Sequence, residues 1–110
     1  MNNYARKWIV QRITAILLIP LSFWFIYHCL SFASMNYTQP FLFFKSSINS
    51  LLFLIMMIST LIHAKLGCET IIEDYVISKS LKNISTLVIN LIAYFSMVIV
   101  ILTTARIFFI

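Results

Sequence analysis

The segment from residue 63 to residue 76, HAKLGCETIIEDYV, carries most of the groups in this chain whose types and spacing could do chemistry. It directly follows the apolar run LLFLIMMISTLI, so a helix here would hold an imidazole inside an apolar segment. On a helix that turns about 100° per residue, one stripe collects four of its residues: His63, Gly67, Thr70 and Asp74. An ionisable side chain within an apolar helix marks a functional site by default.

Two roles for His63 follow from its chemistry. A neutral imidazole is an axial ligand of haem iron, and it also forms hydrogen bonds between membrane helices. Gly67, one turn further on, offers a surface without a side chain for a flat macrocycle or for a closely packed helix. The residues alone leave both roles open. His28 is expected at the opposite end of the preceding apolar segment, as an interfacial or hydrogen-bonded residue too distant to share an iron with His63.

Three further residues have two interpretations each. Asp74 and Tyr75 lie about 18 Å from His63 if the helix continues at 1.5 Å per residue. A tyrosine there is ordinarily part of the aromatic belt, and the acid is a solvated residue at the helix end. Alternatively, Tyr75 donates its hydroxyl to a quinone carbonyl while Asp74 orients it or relays protons. Arg12, with its planar guanidinium, suits a haem propionate or a lipid phosphate equally well.

Composition assigns these residues to a membrane protein. Of the 110 residues 62% are hydrophobic and 10% are charged, and the mean hydropathy is +1.00. Each of three apolar blocks is long enough to cross a hydrocarbon core of about 30 Å: about 13–35, 48–68 and 84–104. We therefore predict an all-α integral membrane protein with three transmembrane helices in one domain, 1–110. The single glycine excludes the glycine-rich nucleotide fingerprints, so we expect no catalytic residue and a redox role only with partners.

The basic residues predict the orientation of the chain. Six of the eight lie in the N-terminal segment or near the second connection: Arg6, Lys7, Arg12, Lys65, Lys79 and Lys82. Because lysine and arginine concentrate on the inner side of membranes, we expect the N-terminus on the cytoplasmic or matrix side. The cations are scattered along the membrane ends, so we expect contact with lipid and no nucleic-acid partner.

The connections and the charges near them give more local expectations. Pro40 is expected to break the helix in the first connection because it lacks an N–H group. Asn83 or Ser85 is expected to cap the third span. Lys65 and Glu69 stand four residues apart and could pair, but contact with hydrophilic subunits or water is the favoured interpretation.

The second of the three spans carries the spacing of His63, Gly67, Asp74 and Tyr75, and QRITA at residues 11–15 opens the first span. This combination resembles the small hydrophobic membrane-anchor subunits of succinate dehydrogenase, respiratory complex II. The resemblance implies that His63 is one axial ligand of a b-type haem whose other ligand comes from the companion cytochrome b556 anchor subunit. It further implies that Tyr75 hydrogen-bonds ubiquinone beside Asp74, at a site shared with the iron-sulfur subunit. Arg12 would lie near the haem propionates.

The resemblance also implies the function. The chain would hold the flavoprotein and iron-sulfur subunits at the inner membrane of a bacterium or mitochondrion, and would take part in electron transfer from succinate to ubiquinone. Two alternatives stay open at this point. One is a fumarate reductase anchor, and the other is a non-redox membrane scaffold or assembly subunit in which His63 only bonds between helices.

Overall fold

The computed structural model describes residues 3–33 and 38–110, except for the side chain of Asn3. The described chain is nearly all helical, with helices α1 Asn3–Phe32, α2 Thr38–Lys45, α3 Ser47–Tyr75 and α4 Lys79–Phe109. α1, α3 and α4 are long and apolar enough to cross a membrane, which confirms the predicted all-α fold with three spans. All three begin or end beyond the predicted apolar blocks, because the lysine, arginine and glutamate residues at their ends are good helix formers.

α3 lies at the centre of the bundle and packs against each of the other helices. Small or hydroxyl-bearing residues are buried where the helices meet, among them Thr14, Ser50, Ser59, Ala93 and Thr104. Such residues let membrane helices approach closely, since apolar surface alone gives little driving force between helices in lipid. Large apolar side chains instead cover the outside of the bundle, where lipid would contact them.

The charged residues separate to the two ends of the bundle. Lys7 near the start of α1 lies 3.2 Å from Glu69 in the last part of α3, so these two helices run antiparallel. The connection from α3 to α4 is at this same end, which therefore carries the six grouped cations. Lys45 lies at the opposite end, where it donates a hydrogen bond to the carbonyl oxygen of Ile110. The grouping of cations used for the orientation is thus present, while the assignment of this end to the cytoplasm or matrix stays a prediction.

Two predictions about the connections are wrong. Pro40 is the third residue of α2, where its missing N–H would have had no helical partner in any case. Residues 34–37 of that connection lie outside the described residues.

α4 begins at Lys79, and its N-cap is Ser78, whose Oγ accepts a hydrogen bond from the Leu81 N–H at 3.4 Å. Asn83 and Ser85 therefore lie within α4, because the helix starts well before its apolar part.

His28 lies in an aromatic cluster at the end of the bundle opposite the grouped cations. Its ring centroid is 4.7 Å from that of Phe43 and 5.2 Å from that of Trp24. It is half-buried and packs against these aromatic rings, and its predicted interfacial or hydrogen-bonded role stays a prediction. His28 is 14 residues from Thr14 along α1, or about 21 Å at 1.5 Å per residue. Because Thr14 contacts His63, the two histidines lie far apart, as predicted.

Candidate functional site

His63 is held between α3 and the first part of α1 through one ring nitrogen. Its Nδ1 lies 3.0 Å from Thr14 Oγ1 and 3.2 Å from the carbonyl oxygen of Gln11. A carbonyl oxygen can only accept a hydrogen bond, so its place beside Nδ1 favours the tautomer that carries the proton on Nδ1. Nε2 then keeps its lone pair, and we find no hydrogen bond to it from the residues that the structure describes.

Thr14 completes this arrangement. Its hydroxyl donates to the carbonyl oxygen of Gln11 at 3.0 Å, so it accepts, and does not donate, the hydrogen bond from His63 Nδ1. Thr14 is only 5% exposed, which shields the group from exchange with other partners. A neutral imidazole whose Nδ1–H is bonded to protein oxygen, with Nε2 free, is the form that binds metals in proteins.

The chemistry of the donor set distinguishes between kinds of metal site. Within residues 3–33 and 38–110, no group of three or more histidine, cysteine, aspartate or glutamate side chains could hold a bare metal ion. A haem iron needs only axial ligands from protein, since its macrocycle supplies the other four donors. A single histidine with a free Nε2 therefore fits a haem and does not fit an isolated ion.

Gly67 lies one turn after His63, where α3 faces the side chain of Gln11. A Cβ atom placed on Gly67 would lie 3.8 Å from Gln11 Nε2, which is ordinary van der Waals contact. The packing of α1 on α3 therefore does not require glycine at this position. The interpretation that Gly67 leaves room for a cofactor stays a prediction.

A polar cleft opens between the start of α1 and the end of α3. It has a volume of about 470 Å³ and brings together the predicted residues Arg12 and Asp74. The full lining is Tyr4, Lys7, Trp8, Gln11, Arg12, Thr70, Glu73 and Asp74. The guanidinium of Arg12 lies 5.1 Å from the centre of the Trp8 ring, and no acid of the described chain forms an ion pair with it. Arg12 is thus available to an anion from outside the chain.

Tyr75 is the last residue of α3 and does not line this cleft. It is 79% exposed, so its hydroxyl is open to a partner subunit or to a ligand. Asp74, the preceding residue, turns by about 100° into the cleft. The two residues of the pair therefore face different surroundings, and this chain alone does not enclose a quinone.

A buried ion cluster lies beside the cleft, and sequence reasoning found only half of it. Glu69 is 6% exposed and lies 3.1 Å from Lys65 and 3.2 Å from Lys7. The predicted pairing with Lys65 is confirmed, whereas the favoured interpretation of contact with water or hydrophilic subunits is wrong for Glu69. Burial between two helices excludes it from both. Lys7 was missed because its place beside Glu69 depends on the antiparallel packing of α1 and α3.

Gln11 and Thr14 were also missed as partners of His63, although both belong to the QRITA segment. The sequence feature that could have identified them as a signal is a hydroxyl and a backbone carbonyl three residues apart on one helix turn. That signal has meaning only when the depth of His63 along α1 is known. The structure supplies this depth by placing His63 level with the turn from residue 11 to residue 14.

Comparison with known proteins connects this geometry to a family. Residues 4–105 match the family described as succinate dehydrogenase/fumarate reductase transmembrane subunit. The succinate dehydrogenase hydrophobic membrane anchor subunit of Rickettsia bellii is 33% identical over 94 residues, covering 86% of this chain and 75% of the relative. The subunits of the same name from Rickettsia felis and Rickettsia typhi are 32% and 30% identical, covering 82% and 86% of this chain and 75% of each relative.

These relatives and the three apolar helices identify a multi-pass protein of the inner membrane. The match extends over the segments that carry His63, the polar cleft and the ion cluster. The chain belongs to the family of succinate dehydrogenase/fumarate reductase transmembrane subunits.

Proposed function

We propose that this membrane anchor of succinate dehydrogenase supplies His63 as one axial ligand of a b-type haem and forms part of a ubiquinone site. The observation that carries the proposal is the hydrogen bonding of the imidazole, with Nδ1–H directed to Gln11 and Thr14 and Nε2 left free. Hydrogen bonding of the other ring nitrogen in this way orients a metal-binding histidine and raises its basicity.

The haem, when bound, would supply a one-electron redox centre whose potential depends on its axial ligands and surroundings. From this chain, Nε2 of His63 would donate its lone pair to the iron. The second ligand would come from the companion cytochrome b556 anchor subunit, because His28 lies about 21 Å away along α1. Arg12 would hold a propionate, since its guanidinium has no acidic partner within the described chain.

The ubiquinone site would lie at the end of the bundle that carries the grouped cations. The exposed hydroxyl of Tyr75 would donate a hydrogen bond to a quinone carbonyl, and Asp74, the preceding residue, would hold or transfer a proton at its carboxylate from the adjoining cleft. Reduction of the quinone takes two electrons and two protons, and the electrons would arrive from succinate through the flavoprotein and iron-sulfur subunits. Because Tyr75 is so exposed here, the iron-sulfur subunit would be needed to enclose the quinone.

The grouping of basic residues at one end of the bundle supports this arrangement. Six basic residues share one end with Asp74 and Tyr75, and the positive-inside rule would place that end in the cytoplasm or matrix. The hydrophilic subunits would dock there. The anchor would thus hold both subunits at the inner membrane and present them with part of the quinone site.

A visible difference spectrum tests the proposal on the complex purified through this chain in mild detergent. Dithionite-reduced minus oxidised spectra should contain a b-type haem band, together with covalent flavin and succinate-dependent reduction of ubiquinone. Flavin without the haem band would overturn the haem assignment. The absence of both would point to a non-redox scaffold. A complex that reduces fumarate with quinol much faster than it oxidises succinate would point to a fumarate reductase anchor.

A further inference from the structure

Thr14 is in a position to act on the imidazole of His63 without touching a cofactor itself. Its hydroxyl lies 3.0 Å from His63 Nδ1 and 3.0 Å from the Gln11 carbonyl oxygen, and the residue is 5% exposed. We propose that Thr14 is a positioning residue for the axial ligand, which holds the proton on Nδ1 and fixes the plane of the ring. This inference rests on the proposed role of His63 as a haem ligand.

The first step concerns the proton. Either ring nitrogen of a neutral imidazole can carry it, and only the form with the proton on Nδ1 leaves Nε2 free for iron. If Thr14 instead donated its hydroxyl to Nδ1, the lone pair of Nδ1 would face the Gln11 carbonyl oxygen at 3.2 Å, and the bond from Thr14 to that carbonyl would be lost. Two acceptors on one side of the ring therefore stabilise the ligating form.

The second step concerns the ring plane. Both acceptors belong to one turn of α1, so together they direct the Nδ1–H bond and restrict rotation of the imidazole about Cβ–Cγ. Threonine is well suited to this task, because its branched side chain is stiff and its hydroxyl is already fixed by the i−3 carbonyl. A serine would keep the hydroxyl and lose the methyl group, whereas a valine would keep the shape and lose the hydroxyl.

The third step connects the hydrogen bond to a measurable property. An imidazole whose N–H is bonded to oxygen is a stronger electron donor, so it stabilises oxidised iron and lowers the midpoint potential of the haem. Loss of one acceptor should therefore raise that potential. Freer rotation of the ring should also move the g values of the oxidised haem in electron paramagnetic resonance, since these depend on the planes of the axial ligands.

The experiment compares complete complexes that carry Thr14→Val, Thr14→Ser or Thr104→Val. Thr104 is the matched control, because it is a threonine that is 4% exposed on α4, at the opposite end of the bundle. We expect Thr14→Val to raise the haem midpoint potential and shift the g values. Thr14→Ser and Thr104→Val should both stay near the wild type. If the valine variant does not assemble, Thr14→Ala removes the same hydroxyl without adding a methyl group.

Two results would overturn the inference. One is a wild-type potential and wild-type g values in a Thr14 variant that lacks the hydroxyl. The other is an equal shift in the serine and valine variants, because serine keeps the hydroxyl and the effect would then not depend on the hydrogen bond. Failure of the proposed haem ligation has a different signature, because His63→Ala would then retain the wild-type haem spectrum.

Discussion

Replacing Glu69 by glutamine should destabilise the anchor far more than the size of the change suggests. The substitution keeps the volume of the side chain and removes the negative charge that lies between Lys65 and Lys7. The side chain of Lys65 is only 16% exposed, and that of Glu69 is 8% exposed. Lys65 would therefore remain charged in a largely closed site without an acidic partner.

The expected loss of stability has two contributions, one from the lost pairing with Lys65 and one from the lost pairing with Lys7. Removing one partner of a buried ion pair costs about 3–5 kcal/mol, because the other charge is left uncompensated. Lys7, whose side chain is 47% exposed, adds at most about 1 kcal/mol. The ammonium of Lys65 can still lie over the Tyr94 ring, 5.6 Å from its centre, which offsets part of the cost. We expect a loss of about 3 kcal/mol, or roughly a hundredfold in the unfolding equilibrium at 1.4 kcal/mol per tenfold.

Steric trapping of the assembled complex in mild detergent measures this free energy of unfolding. Glu73→Gln is the matched control, because the side chain of Glu73 is 61% exposed and lies 3.7 Å from the same Lys7. It should cost less than about 1 kcal/mol. Joint replacement of Lys65 and Glu69 by methionine and leucine should be close to neutral, since no charge is then buried alone. Equal, small losses for Glu69→Gln and Glu73→Gln would show that the buried charge of Glu69 does not stabilise the anchor.

Three further substitutions test the proposed roles of the cofactor residues. Tyr75→Phe should lower ubiquinone reduction by roughly tenfold, the effect of one lost hydrogen bond, and leave succinate oxidation by an artificial acceptor unchanged. Equal loss of both activities would make Tyr75 structural. Gly67→Ala should keep or raise anchor stability by up to about 1 kcal/mol and disturb the haem absorption band, and an undisturbed band would place the haem elsewhere. Arg12→Gln should lower the haem midpoint potential in a redox titration, because a positive charge near the propionates favours the added electron; an unchanged potential would assign Arg12 to lipid phosphate.

The three spans could be predicted from the sequence because each needs only length and apolar composition. Their ends could not, since the helix formers Lys79, Leu81 and Lys82 extend α4 beyond its apolar part, back to Lys79. α2 was missed because its eight residues carry too short a pattern and contain Pro40 in the first turn. Local sequence describes long helices well and says little about where short ones form between them.

In the candidate site, too, the features within one helix could be predicted from the sequence and the contacts between helices could not. The stripe that begins at His63 follows from helical periodicity within one segment, so its members could be named from the sequence. The hydrogen bond of His63 with Thr14 and the ion pair of Lys7 with Glu69 join residues from α1 and α3. Both depend on the distance by which α1 is displaced along the axis of α3. That distance is set by side-chain packing over the whole interface. No pattern within either segment contains it.

His63, and not His28, is the proposed ligand of the haem. The most direct measurement is the reduced minus oxidised visible spectrum of the assembled complex with His63→Ala, beside that with His28→Ala as a control. We predict that the b-type haem band is lost or altered in the His63 variant and retained in the His28 variant. A wild-type band in the His63 variant would show that His63 is not a haem ligand.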